Sequence, residues 1–265
     1  MTNDLNPAIG DFDELAEDFD RTRPVCPAAL FDDLLSLAAL SPGDRVVEIC
    51  CGSGQATVPL AERGLAVTAI EIGVKLAAIA RRRLSGFPAV EVVTSSFEDW
   101  GPDGRPVAAV VAFNALHWIA PEGRYAKPAA LLGLGGVMVV GGCTWALPEN
   151  AEPFWREVQQ DYWAVGYEGA PPPPPEGIAP WSFPEEAALY FEEVAARRYP
   201  FQIVYSAEEY LAMLATQSGT RALGAARRRE FLDSVRLRLD RRPRLTASFV
   251  GFLTVGKRNA VAEGS

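Results

Sequence analysis

From residue 45 onward, short Val/Ala/Ile runs alternate with stretches whose apolar residues recur every three or four positions. The runs at 45–50, 65–71, 90–94, 107–112 and 136–143 are predicted strands. Nearly every position in them is apolar, the pattern of strands covered on both faces. Helical spacing fills the gaps at about 55–63, 74–84 and 123–132, the last interrupted or started by Pro128. Repeated strand–helix–strand units predict an α/β protein with a right-handed, doubly wound parallel sheet. Two further helices, about 11–20 and 27–40, precede the first strand, and Ser41-Pro-Gly-Asp44 reads as a turn.

After residue 143 the rhythm changes. Residues 152–165 predict a Trp/Tyr-rich helix, and 171–175 are consecutive prolines, a spacer that cannot be helix. Strands are predicted at 194–205 and 248–255, with a helical block at about 207–239 between them. Ser206, ahead of Glu208 and Glu209, is its expected N-cap. The expected organisation is a core at 1–143 that includes a helical N-terminal lid (1–40). Cap insertions follow at 144–193 and 206–245, the last two core strands at 194–205 and 246–258, and a tail at 259–265.

The chain has 265 residues, a net charge of −9 and a pI near 4.8, with 49% hydrophobic and 22% charged residues. That balance describes an ordinary globular protein and argues against a nucleic-acid partner, whose phosphates need a basic surface. The arginine triplets at 81–83 and 227–229 fall in helix-like stretches and read as solvated faces. The first residues show no basic segment followed by an apolar one, and no run reaches the roughly 18–20 apolar residues that cross a bilayer. The expectation is a cytoplasmic protein, monomer or homodimer, with no membrane partner. Cys26, Cys50, Cys51 and Cys143 form no CxxC pair, and there is one histidine, so no metal site is expected.

The chemistry concentrates in Arg45-Val-Val-Glu-Ile-Cys-Cys-Gly-Ser-Gly-Gln-Ala-Thr57, a strand ending in an acid, then a glycine turn opening a helix. Such a turn presents backbone N–H groups to a small ligand at the strand's carboxyl end. Glu71, at the tip of the next strand, is placed to accept hydrogen bonds from ribose hydroxyls. A dinucleotide fingerprint needs a third glycine, and Thr57 stands where it would fall. Glu48 would also repel a pyrophosphate, whereas S-adenosylmethionine (SAM) carries an amino group and a sulfonium and no phosphate.

With these residues the chain resembles the class I SAM-dependent methyltransferases, in particular a bacterial small-molecule subgroup similar to trans-aconitate methyltransferase. The likeness is carried, from about residue 12 to 257, by Arg23-Pro-Val-Cys-Pro27, Val47-Glu-Ile-Cys-Cys-Gly-Ser-Gly-Gln-Ala-Thr57, Val67-Thr-Ala-Ile-Glu71, Ser96-Phe-Glu-Asp-Trp100, Ala115-Leu-His-Trp118 and Leu131-Leu-Gly-Leu-Gly-Gly136. It implies a Rossmann-like seven-stranded sheet, mostly parallel with the last strand antiparallel. It further implies that Glu48 holds the SAM amino group through backbone or water. Cys50, Gly52, Ser53 and Gly54 would line the methionine portion and Glu71 take the ribose, with Ile72 packing on the adenine. Ser96 and Phe97 would meet the adenine edge, and Asn114 lie near the sulfonium. The chain departs from the family pattern at Cys50 (usually glycine), Ala108 (usually an acid), Val25-Cys26 (usually Gly-Tyr) and Phe19 (often tyrosine). Cysteine resists positive φ, so the turn is expected either to differ slightly or not to need it.

Methyl transfer from SAM needs an in-line nucleophile and exclusion of water, with a base only for acceptors that must lose a proton. His117, just beyond the fourth strand, is the candidate base. Candidate acceptor contacts are Phe19 and Arg23 in the lid, Trp118, and Trp145 and Trp163 in the cap. The cap regions are rich in rings (Trp145, Trp155, Tyr162, Trp163, Tyr167, Trp181, Phe183), which predicts an aromatic or apolar acceptor resembling a natural product. O-methylation is the first expectation, with N- or C-transfer next. The alternatives are a small carboxylate acceptor, a SAM-binding protein with a non-methylating reaction such as cyclisation, and a nicotinamide-dependent reductase.

Overall fold

The computed structural model describes residues 13–167, 169–240 and 242–259. The predicted strands form as β1 (Arg45–Ile49), β2 (Ala66–Glu71), β3 (Val90–Thr94), β4 (Val107–Phe113), β5 (Leu132–Ala146), β6 (Phe191–Ser206) and β7 (Arg244–Arg258). They make one seven-stranded sheet in the order β3-β2-β1-β4-β5-β7-β6. The first five strands are parallel and the last is antiparallel. β1 is central, with Glu48 level with Ala69 of β2 and Val111 of β4. β5 begins four residues earlier than its apolar run, because Leu132 pairs with Val107 before an irregularity shifts the register.

The chain divides into two compact units. Of the described residues, one comprises 25–143, 180–199 and 251–259, the other 13–24, 144–167, 169–179, 200–240 and 242–250. In the first unit, alternate strand residues feed two cores, as the period-two geometry of a strand requires. Val46, Ala109, Val111, Val137 and Val139 share a core with Leu30, Phe31 and Leu34 of α2 (Ala28–Leu37), Leu60 of α3 (Thr57–Glu62) and Ala80 of α4 (Val74–Arg83). Val47, Ile49, Val110, Ala112, Met138 and Val140 share the other with Phe97, Leu116, Ala129 and Leu131 of α5 (Ala126–Leu131) and Phe191. The helix expected at 27–40 stops at Leu37, because Ala39 adopts φ +51°.

In the second unit lie α1 (Ala16–Thr22), α6 (Phe154–Glu157), α7 (Gln159–Ala164), α8 (Ala207–Ala215), α9 (Ser218–Ala222) and α10 (Ala225–Leu239). Residues 11 and 12 of the first predicted helix lie outside the described residues. The single helix expected at 152–165 breaks at Val158. The block at 207–239 becomes three helices, broken at Thr216-Gln217 and at Leu223-Gly224. Ser206 caps α8 as expected: its hydroxyl accepts from Glu209 N (3.1 Å) and the Glu209 carboxylate accepts from Ser206 N (2.7 Å). Between α7 and α10, the buried Asp161 accepts from Ser234 Oγ (2.6 Å) and from the Arg238 guanidinium. No helix among the described residues is long and apolar enough to cross a membrane.

Candidate functional site

β1 delivers the chain to a turn built from left-handed residues. Cys50 has φ +51°, Gly52 +60° and Gly54 +89°. For the glycines this is free; for the cysteine it costs about 1 kcal/mol. The turn therefore does need positive φ at 50, and a side chain that disfavours it is held there. What holds it is Glu71: Gly52 N donates to its Oε2 and Gly73 N to its Oε1, both at 2.8 Å. One carboxylate thus ties the turn after β1 to the turn after β2, while Cys51 N extends the ladder to Ile70 O (2.9 Å).

Glu48, at 1% exposure, is the anomaly of the site. Its Oε2 has no hydrogen-bond partner. Burial drives its pKa from an ordinary 4.5 to about 8, the nearby Thr57 hydroxyl partly opposes this, and the Glu71 charge adds to it. Thr57 approaches without a hydrogen bond of normal geometry, since its Oγ1 is also unpartnered. A buried carboxyl with a vacant lone pair is costly and suits a cationic donor. The same carboxylates, after burial itself, push the Cys50 and Cys51 thiols up and keep them protonated.

Around this turn, Ser53 is buried, its hydroxyl accepting from Gln55 Nε2 (2.6 Å) and its carbonyl from Arg83 (3.3 Å). Ile72 is half-buried beside Glu71. Ser96 caps its own turn, its hydroxyl donating to Asp99 Oδ2 (2.7 Å) and accepting from Asp99 N (3.0 Å). Phe97 is a core residue at 2% exposure, stacked on Trp100. Lys127, which sequence reasoning missed, organises this segment. Its ammonium donates to Phe97 O (2.5 Å), Glu98 O (2.9 Å) and Trp100 O (2.7 Å) and lies over both rings. Asn114 ends β4 with φ +50°, and its Oδ1 accepts from Cys143 N (3.1 Å). Gly142 permits this approach: a Cβ there would sit 2.1 Å from that oxygen. His117 lies in the short 3₁₀ turn Leu116–Trp118 with its ring 4.8 Å from that of Trp118. Partial burial and the Arg124 charge lower its pKa, which keeps the imidazole neutral and able to accept a proton.

A family model described as "Methyltransferase domain" matches residues 46–135, the segment that carries this turn and both acids. Residues 46–135 are a methyltransferase domain. Among relatives, the chain is 32% identical over 163 residues to trans-aconitate 2-methyltransferase of Paracidovorax citrulli, covering 60% of this chain and 56% of that one. It is 29% identical over 153 residues to an uncharacterised methyltransferase of Mycobacterium bovis, covering 58% of each. The match therefore spans a little over half the length of these relatives. Solved structures agree in fold. One from Anaeromyxobacter dehalogenans, described as a type II methyltransferase, gives a TM-score of 0.59 at 21% identity over 89% of this chain and 97% of that one. A SAM-dependent methyltransferase of Geobacter sulfurreducens, solved with S-adenosyl-L-homocysteine, gives 0.50 at 16% over 90% and 93%. Residues 46–135 thus carry the match to the methyltransferase domain, and the chain shares the fold of these solved structures.

The second unit holds a cavity of about 590 Å³. Its lining includes the rings of Trp145, Trp155, Tyr162, Tyr167, Tyr210 and Phe231, with Pro171, Pro172 and Pro173 and a polar stretch from Gln217 to Thr220. Among the described residues, no ionisable acid or base other than tyrosine lines it. Burial holds the Tyr162 phenol at about 12, so it is neutral. Of the predicted acceptor contacts, Trp145 is in this wall, packed on Phe249 (4.5 Å) and Trp155 (5.9 Å). Trp163 is not: it is 53% exposed, off the stripe of Val158, Tyr162 and Val165 that faces the cavity. Arg23 is engaged within the same unit, donating to Thr216 O (2.5 Å) and lying 4.8 Å over the Phe19 ring. Trp118 belongs to the other unit, where it flanks His117. Trp181 and Phe183 also leave the cap: they pack in the core around Phe191, 6.0 Å from Phe183, and Trp181 O accepts from Thr254. Tyr210 and Phe231 were missed as lining residues. The signal for Tyr210 was present in its i, i+3, i+4 spacing with Met213 and Leu214.

Proposed function

We propose that this methyltransferase uses SAM to methylate a small, uncharged aromatic or apolar acceptor, most simply at a hydroxyl. The observation that carries the cofactor assignment is the unpartnered, buried Oε2 of Glu48 beside Glu71, which suits a cationic, phosphate-free nucleoside. Bound SAM would supply an electrophilic methyl group on a sulfonium. For their part, the Gly52 and Gly54 turn admits the ligand close to main chain, Glu71 offers its carboxylate to a diol, and Glu48 accepts the amino group. His117, neutral by its environment, takes the proton that a hydroxyl acceptor must lose.

The cavity supports the acceptor class. A tricarboxylate would need cations to meet it, and among the described residues no lysine or arginine lines these walls. Its rings favour a planar, apolar molecule, with the Gln217–Thr220 stretch as the hydrogen-bonding end.

Calorimetric titration with S-adenosylhomocysteine tests the cofactor: saturable heat is expected, and its absence refutes the assignment. Labelled SAM offered with phenols and with tricarboxylates tests the acceptor class, and transfer to the tricarboxylates alone would overturn it. His117→Ala is expected to lower kcat towards a phenol by roughly 10²-fold without changing the KM for SAM.

A further inference from the structure

We propose that Cys26 and Cys143 are a built-in oxidation site, a thiol pair that closes reversibly to an intrachain disulfide beside Asn114. Both residues lie in the same compact unit. The Cys26 thiol donates to the carbonyl oxygen of Gly142, the residue before Cys143, at 3.4 Å, and the Cys143 thiol is the first cause of its raised pKa. The Cys143 sulfur also receives Asn114 Nδ2 at 3.9 Å, while its backbone N–H donates to Asn114 Oδ1. Two anchored backbones therefore present the sulfurs to each other. Cys143 stands on β5, fixed to Asn114, and Cys26 stands between Pro24 and Pro27, whose rings hold an extended approach to α2.

The four cysteines are not equivalent. Cys51 is buried, and the carboxylates of Glu48 and Glu71 add to burial in raising both the Cys50 and the Cys51 thiols. Cys26 and Cys143 are part-exposed, as Cys50 is, and their thiols interact with each other. The neighbouring Cys143 thiol, and then burial, raise the Cys26 thiol and keep it protonated at neutral pH, so the pair rests as a dithiol and closes only under an oxidant.

The oxidant class is a peroxide. One thiolate attacks the peroxide, an S–O bond forms as the O–O bond breaks, and one water leaves. The second thiol then attacks that sulfur, forming the S–S bond and releasing the sulfenic oxygen as a second water. Two thiols and one peroxide give one disulfide and two waters, the two sulfurs together losing two electrons. A small dithiol reductant reverses the bond by exchange.

The test uses the full chain under native conditions. Protein treated with hydrogen peroxide is alkylated with N-ethylmaleimide and digested without reduction. The expected result is one cross-linked peptide joining Cys26 to Cys143, with Cys50 and Cys51 alkylated, so that free thiols fall from four to two, and full recovery after dithiothreitol. Cys26→Ser is expected to abolish the cross-link and leave Cys143 to be driven to sulfinic acid. The bond would close a loop of more than a hundred residues, so the oxidised protein should also unfold at higher urea than the reduced protein. A cross-link through Cys50 or Cys51, Cys26 and Cys143 recovered separately alkylated or over-oxidised, or a urea midpoint lowered by the bond would overturn the proposal. None of these readouts depends on the methyltransferase reading.

Discussion

Replacing Glu48 by glutamine is expected to stabilise the ligand-free protein, and increasingly so as pH rises. In the fold the carboxyl titrates at about 8, against an ordinary 4.5. Below pH 4.5 both folded and unfolded states hold the proton and the group contributes nothing. Between 4.5 and 8 the unfolded chain releases a proton that the fold retains, so stability falls with pH, by about 1.4 kcal/mol per pH unit. The loss reaches roughly 3 kcal/mol at pH 7 and levels near 5 kcal/mol above pH 8. Glutamine keeps the volume without titrating, but its amide must itself be buried and has Thr57 Oγ1 as its neighbour, which removes about 1–2 kcal/mol of the gain. At pH 8, where the loss is about 4 kcal/mol, a net gain of about 2–3 kcal/mol remains, and for a chain this size that raises Tm by several degrees, at ~2–4 °C per kcal/mol. The assay is thermal unfolding of both proteins, free of ligand, from pH 5 to pH 9. The two Tm curves should diverge upward with pH, while S-adenosylhomocysteine binding weakens in the variant. Parallel curves would show that Glu48 does not titrate as a buried, unpartnered acid, and the electrostatic case for a cationic ligand would lose its footing.

Cys50→Gly is expected to stabilise by about 1 kcal/mol, because φ +51° suits glycine and not cysteine; a lower urea midpoint would show that the thiol packs better than the strain costs. Lys127→Met keeps the stem between the rings but strips three carbonyl oxygens of their shared donor. A loss of about 2 kcal/mol is expected, with faster amide exchange across residues 96–100, and unchanged exchange there would deny Lys127 its organising role.

The sheet was legible because its strands are buried on both faces, so Val and Ala runs such as 107–112 carry an unmixed signal. The helices beyond residue 150 were legible in content but not in breaks. Nothing in the periodicity marks Val158, and Leu223-Gly224 is a weak stop between two good helix-forming stretches. At the site, Glu48 and Glu71 announced themselves as acids ending apolar strands. Long-range placement did not: Trp181 and Phe183 look like cap residues by position, yet they sit in a core assembled with Phe191 and Thr254. Lys127 was invisible for the same reason, since its role depends on three carbonyls some thirty residues upstream.

Glu71 already engages both of its oxygens with the amides of two consecutive strand ends before any ligand arrives. Truncating it would let two loops go at once, so a dead variant at this position could not be scored as the loss of a sugar contact. By the same token, a descendant of this chain that had abandoned nucleosides altogether would still be compelled to keep an acid there. Its persistence in a lineage testifies to scaffolding, and only Glu48, which the empty protein holds at a disadvantage, can bear witness to use.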